Sequence, residues 1–263
     1  MLLTNKVAVI YGASGAVGST VAMTLAREGA TLFLTGQSRT GVEELAAKIK
    51  VAGGSAEAAQ VDALDERAVE MHLKGVIEQA GKLDISFNAV GLRNTTLQGV
   101  PLTDLALDQF MAPIQTHVQA NFITARLAGR LMAVTGSGVI MTVTSTPSRV
   151  ANPLMGGVAI AMAAQEALIR DLSVELGPKG VRVLGIRTHG MPDSDTIKEV
   201  FGLHARAYDM TREQFQELVA ERTHRKRLPS LQEMADVAAF MASGNASAMM
   251  GTVVNRSLGA IAD

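Results

Sequence analysis

VIYGASGAVGSTVAMTLAREGA, residues 9–30, runs from apolar and β-branched residues through three glycines into a helical pattern. Gly12, Gly15 and Gly18 fall between the end of a strand and the start of a helix. Glycine there permits a tight turn and close backbone approach to a ligand, and the helix N-terminus behind it attracts an anion such as a pyrophosphate. Three glycines alone are a moderate signal; the strand before them and the helix after them make it a phosphate-binding reading.

Outward from this turn the same alternation repeats. Short apolar runs at 6–12, 31–36, 55–62, 83–91, 138–145, 181–188 and 251–257 predict strands. Most are continuously apolar, as strands buried on both faces of a parallel sheet are. Amphipathic segments at 18–29, 40–52, 65–80, 104–134, 154–177 and 231–243 predict helices. A succession of βαβ units implies an α/β fold, a doubly wound parallel sheet of about seven strands with helices on both faces. No linker or repeat interrupts it, so one domain spanning 1–263 is expected. The polar stretch 189–230, beyond the sixth strand, is expected to form a substrate lid of one or two short helices, because open α/β sheets bind ligands past the carboxyl ends of their strands.

Composition narrows the function. The formal net charge is −1, with 24 basic and 25 acidic residues and no long run of either sign, which argues against nucleic-acid and membrane-surface partners. The basic cluster THRKR (223–227) is short enough to be a solvated turn. The absence of cysteine excludes thiol catalysis, cysteine-ligated metals and disulfides. The histidines show no metal-ligand spacing with nearby acids, so no metal is expected. The longest apolar run, Pro153 to Ala164, falls short of a membrane span. A soluble, cytoplasmic protein acting on a small molecule is the expectation.

Further motifs follow in order: VDALD (61–65), LDISFNAVG (83–91), VTS (143–145), LGPKGVRVLGI (176–186) and RLPSLQEMADVAAFMASGNASAMMGTVVN (227–255). With the glycine loop they resemble the short-chain dehydrogenase/reductase family over essentially the whole chain. The resemblance implies a Rossmann-type nicotinamide-dinucleotide site. Gly12, Ser14, Gly15, Val17 and Gly18 would hold the pyrophosphate, Asp62 and Ala63 would meet the adenine, and Asn88, Ala89 and Val90 would lie along the adenosine ribose. Two departures are minor: Tyr11 where a threonine is usual, and Ala16 where a glycine is. The second strand ends TGQSRT, without the acidic residue that binds the ribose 2′-hydroxyl in NAD-preferring sites. Gln37, Ser38 and Arg39 stand there instead, which favours NADP(H) over NAD(H).

The family's chemistry rests on a serine that holds the substrate oxygen and a tyrosine that exchanges a proton with it. A lysine lowers the tyrosine pKa and binds the nicotinamide ribose, and an asparagine anchors a water leading to the lysine. Ser145 matches the serine. MGGVAIAMAAQE (155–166) should carry the tyrosine and lysine, and it supplies Val158 and Met162. No other register helps: the two tyrosines are Tyr11 and Tyr208, and no lysine lies between Lys82 and Lys179. His117 occupies the asparagine position. Methionine has nearly the lysine stem's length without its charge, so packing survives where proton transfer does not.

His117, with a reference pKa of about 6.5, is the first candidate for an alternative acid. His189, His204 and Tyr208, in or beside the expected lid, are the others. Three functions compete. An oxidoreductase with this degenerate set would act on an apolar carbonyl or alcohol. A non-redox lyase or isomerase would use the same cleft. A catalytically inactive homologue would bind dinucleotide or regulate a catalytic relative. The segment GVAIAMAAQEALIRDL (157–172) is apolar on more than one face, and a helix of that kind needs a second burial partner. The family resemblance adds contacts through its fourth and fifth helices. A symmetric homo-oligomer, a tetramer, is therefore expected, and a monomer at micromolar concentration would contradict it.

Overall fold

The first apolar run forms β1 (Val7–Tyr11), which lies inside a sheet between β2 (Thr31–Gly36) and β4 (Ile85–Asn88). The computed structural model describes residues 1–92 and 94–262. The remaining strands are β3 (Ser55–Gln60), β5 (Gly138–Ser145), β6 (Val181–Thr188) and β7 (Val253–Arg256). All pair in parallel, in the order β3-β2-β1-β4-β5-β6-β7. The order reverses direction between β1 and β4, and that switch point opens a crevice at the carboxyl ends of the strands.

Alternation along β1 builds both cores. Ala8 and Ile10 join one buried cluster; Val7, Val9 and Tyr11 join the other, as the two-residue period of a strand requires. The first cluster takes in Leu25 of α1 (Ala16–Arg27), Val42 of α2 (Arg39–Val51) and Met234 of α9 (Leu231–Ala242). The second takes in Val76 of α3 (Glu66–Ala80), Leu127 of α5 (Ala120–Thr135) and Ile169 of α6 (Val158–Leu176). Both faces of the sheet are therefore covered, which is why most of its strands read as unbroken apolar runs; β3, at the edge, does not.

The segment expected as one helix over 104–134 is interrupted. It divides into α4 (Leu107–Ile114), a π-helical turn over Gln115–Gln119, and α5. Pro113 lies in the last turn of α4; it lacks an N–H and crowds the preceding turn, which weakens a regular ladder there. His117 sits in the π turn, a local irregularity that often aims a functional group. Within 189–230 the chain forms α7 (Asp195–Ala207) and α8 (Arg212–Glu221). The cap of α8 is a reciprocal pair between Thr211 and Gln214, which satisfies two first-turn amides.

Candidate active site

The strand ends and the 189–230 segment enclose one cleft of about 1170 Å³. The glycine turn forms its floor. Gly12 has φ +68°, and a Cβ there would lie 2.7 Å from the Ala89 carbonyl oxygen. A Cβ on Gly18 would lie 2.3 Å from the Gly12 carbonyl oxygen, so neither position tolerates a side chain. Gly18 packs beneath the turn; Gly12, Ser14, Gly15 and Val17 face the cleft. No side chain caps the N-terminus of α1, which leaves its first-turn amides to an anion. This cradle fits a pyrophosphate.

Further along the cleft lie Gln37, Ser38, Asp62, Ala63, Asn88, Ala89 and Val90. The Asp62 carboxylate accepts from Gln37 Nε2 at 3.0 Å and from the Leu64 amide at 2.9 Å. Ser38 Oγ accepts from the Gly41 amide as the N-cap of α2. The Asn88 side chain works on the fold: its Nδ2 donates to Thr124 Oγ1 and its Oδ1 accepts from the Val90 amide, both at 2.9 Å. Those bonds hold the strand end open against the cleft. Arg39 is exposed, outside the cleft-lining set, and paired with Glu43 at 2.8 Å. An exposed pair of this kind is weak and salt-screened, so it does not fix the guanidinium away from the site.

At the other end, Ser145, His117, Val158 and Met162 face the same space. The Ser145 hydroxyl makes no hydrogen bond to the described residues. Val158 and Met162 are both buried within the wall. The His117 carbonyl accepts from Asn121 Nδ2 at 2.9 Å and Gln165 Nε2 at 3.4 Å. The expectation that His117 titrates near its reference value needs correction. Burial holds its pKa down at about 4, against a smaller opposing hydrogen bond with the Val90 backbone. At neutral pH the imidazole is uncharged.

Thr146, Glu166, Arg187, Gln98 and Phe215 are neighbours that the sequence did not mark. Thr146 Oγ1 and His189 Nδ1 lie 2.9 Å apart, at the ends of adjacent strands β5 and β6. Burial also pushes the His189 pKa down. Beneath this floor Glu166 of α6 receives Arg187 Nε and one guanidinium nitrogen at 2.8 Å each, with Thr144 Oγ1 at 3.0 Å and Ser148 Oγ at 2.6 Å. Both members of the ion pair are 3% exposed. Thr144 and Ser148 bracket Ser145, so the pair fastens the strand end that presents it. In the 189–230 segment His204 meets Gln98 Oε1 at 3.1 Å and stacks on Phe215, as does Tyr208. Among the described residues no group of three or more His, Cys, Asp or Glu side chains has the arrangement of a metal site, and no helix is long and apolar enough to cross a membrane.

A doubly wound sheet with a phosphate cradle at its switch point defines a dinucleotide-binding class of α/β protein. The family model described as enoyl-(acyl carrier protein) reductase matches residues 12–260, and the chain belongs to the short-chain dehydrogenase/reductase family. It is 27% identical over 259 residues to 7α-hydroxysteroid dehydrogenase of Escherichia coli K12, covering 98% of this chain and 95% of that protein. It is 24% identical over 252 residues to gluconate 5-dehydrogenase of Gluconobacter oxydans, covering 96% and 93%. The fold matches NAD⁺-bound xylitol dehydrogenase with a TM-score of 0.91 at 23% identity, over 98% and 99% of the two chains. It also matches a 7α-hydroxysteroid dehydrogenase complexed with NADH and 7-oxo glycochenodeoxycholic acid, at TM-score 0.86 and 28% identity over 99% and 96%. These relatives are oxidoreductases, and the last two structures carry nicotinamide dinucleotides.

Proposed function

We propose that this chain is an NAD(P)(H)-dependent oxidoreductase with a degenerate catalytic set, acting on an apolar carbonyl or alcohol. The single observation that carries the reading is one continuous cleft joining the pyrophosphate cradle to Ser145. The nicotinamide supplies the hydride when bound. Ser145 holds the substrate oxygen with a hydroxyl that no other described residue engages. His117 exchanges the proton from the π turn, and α7 and α8 act as the lid that excludes water. Exposed Phe122, Ile160 and Val174 on α5 and α6 support subunit contacts through those helices in a tetramer.

His117 in this role fixes the pH dependence. Its folded pKa is depressed, so the imidazolium is absent at neutrality and gains population only as pH falls toward about 4. Turnover should therefore rise as the pH is lowered from 7 toward 5, and His117→Ala should flatten that profile while leaving dinucleotide binding intact. A profile that is the same in wild type and variant would assign the proton to another group, His189 or Tyr208.

For the cofactor, the end of β2 carries no carboxylate to repel a 2′-phosphate, and Ser38 opens a helix N-terminus beside it. We assign NADP(H) ahead of NAD(H), with Arg39 turning from Glu43 to the phosphate. Met162 lacks the ribose contacts of a lysine, which should weaken either cofactor by roughly 1.5–3 kcal/mol, the value of hydrogen bonds to a charged group. Calorimetry should show NADPH binding more tightly than NADH, with Arg39→Ala removing the difference. Equal affinities in the wild type would overturn the preference.

A second reading draws on the apolar wall. Val158 and Met162 give no proton donor, and a protein that binds dinucleotide without turnover would have the same cradle.

A further inference from the structure

Among the described residues that line the cleft, Arg222 is the one lysine or arginine. It caps the C-terminal end of α8 and is exposed. No ion pair or hydrogen bond engages its guanidinium among the described residues, and its neighbour Glu221 is committed to Lys226 at 3.4 Å. It lines the same cleft as His189 and Thr188 at the end of β6.

Apolar side chains share the helix of Arg222: Phe215 and Leu218 of α8 line the cleft, and Phe201 and Tyr208 lie against Phe215. The two cleft carboxylates do not answer Arg222 in ion pairs: Glu199 accepts from Thr95 Oγ1 at 2.5 Å, and Asp62 sits at the adenine end on Gln37. A wall of this kind rejects a compact polyanion, because burying several charges among side chains that cannot solvate them is costly. It accepts an apolar body whose one charge stops at the rim, where a guanidinium can make paired hydrogen bonds to a carboxylate.

We infer that the cleft takes an apolar monocarboxylic acid, its carboxylate on Arg222 and its apolar body against the aromatic and methionine side chains of the 189–230 segment. This rests on the oxidoreductase reading for the reaction, with the carbon to be reduced or oxidised held near Ser145, but the recognition stands on Arg222 and its walls alone. It also gives Arg222 a role that composition conceals, since THRKR beside it reads as a solvated turn.

The test is calorimetric titration of the NADP⁺-loaded protein with decanoate and with decan-1-ol, which share a chain and differ in the anionic head. Decanoate should bind at least about ten times more tightly. Arg222→Ala should abolish that preference, and Arg222→Lys should restore part of it, since a lysine keeps the charge and loses the fork. Arg222 is exposed, so neither change threatens the fold. Equal binding of the two ligands, binding of neither, or a preference that survives Arg222→Ala would overturn the inference. Failure of the dinucleotide to load, with decanoate still preferred by the unloaded protein, would instead strike the oxidoreductase reading and leave this one standing.

Discussion

Replacing Val158 by tyrosine and Met162 by lysine together should raise the rate of ketone reduction by about 10²–10⁴-fold, the contribution of a positioned proton donor. Both side chains face the cleft from α6, four residues apart on one helical face. Ser145 faces the same space with an unengaged hydroxyl, so the two substitutions supply what the wall lacks. The gain should require both. Val158→Tyr alone puts a phenol beside an apolar methionine, where burial raises its pKa and weakens it as an acid. Met162→Lys alone adds a charge with nothing to activate. NADPH oxidation followed by absorbance against a panel of apolar ketones measures this. A double variant that folds, binds NADPH and reduces no ketone faster than wild type would show that the deficit lies elsewhere in the cleft.

The second large effect concerns the floor beneath Ser145. Glu166→Ala should destabilise the protein by about 3–5 kcal/mol, the usual cost of removing one partner from a buried ion pair. The change strips Arg187 of two bonds and Thr144 and Ser148 of their shared acceptor. Burial pushes the Glu166 pKa up, but the bonds from Arg187, Ser148 and Thr144 outweigh it and hold the carboxylate below its ordinary value. A depressed carboxylate stabilises the fold above its unfolded pKa and loses that contribution as pH falls through the folded one. Urea denaturation at pH 7 should show the full loss, and the gap between wild type and Glu166→Ala should narrow as the solution is acidified. Glu166→Leu with Arg187→Met should recover much of the stability, because a packed apolar pair avoids desolvating two charges. A loss under about 1 kcal/mol for Glu166→Ala would mean the pair contributes nothing net.

The sheet was legible because its signals are local. Each strand is a short apolar run between turn residues, and Gly12 and Gly18 mark by their own chemistry where a backbone must come close. The reading that Val158 and Met162 stand at the tyrosine and lysine positions rests on the same kind of local signal, their spacing from Ser145. Features that depend on distant partners were not. Glu166 and Arg187 lie 21 residues apart on different elements, and neither carries a mark that it will be buried. The break in the long helical segment depends on Pro113 together with a π turn, whereas amphipathic periodicity continues through both. The low pKa of His117 is a property of its surroundings and not of its sequence. Asn88 shows the converse: its position follows from the chain, while Thr124 decides what its side chain does.

The central claim is that the chain moves hydride despite its apolar wall. The most direct measurement is deuterium transfer from 4-deuterated NADPH to an apolar ketone, with the alcohol product read by mass spectrometry after long incubation at pH 5.5. The account predicts labelled alcohol above a protein-free control from the wild type, less from His117→Ala, and far more from the Val158→Tyr/Met162→Lys pair. A wild type that binds NADPH yet leaves the ketone unlabelled, while the double variant labels it, would contradict the account and identify a dinucleotide-binding protein without turnover.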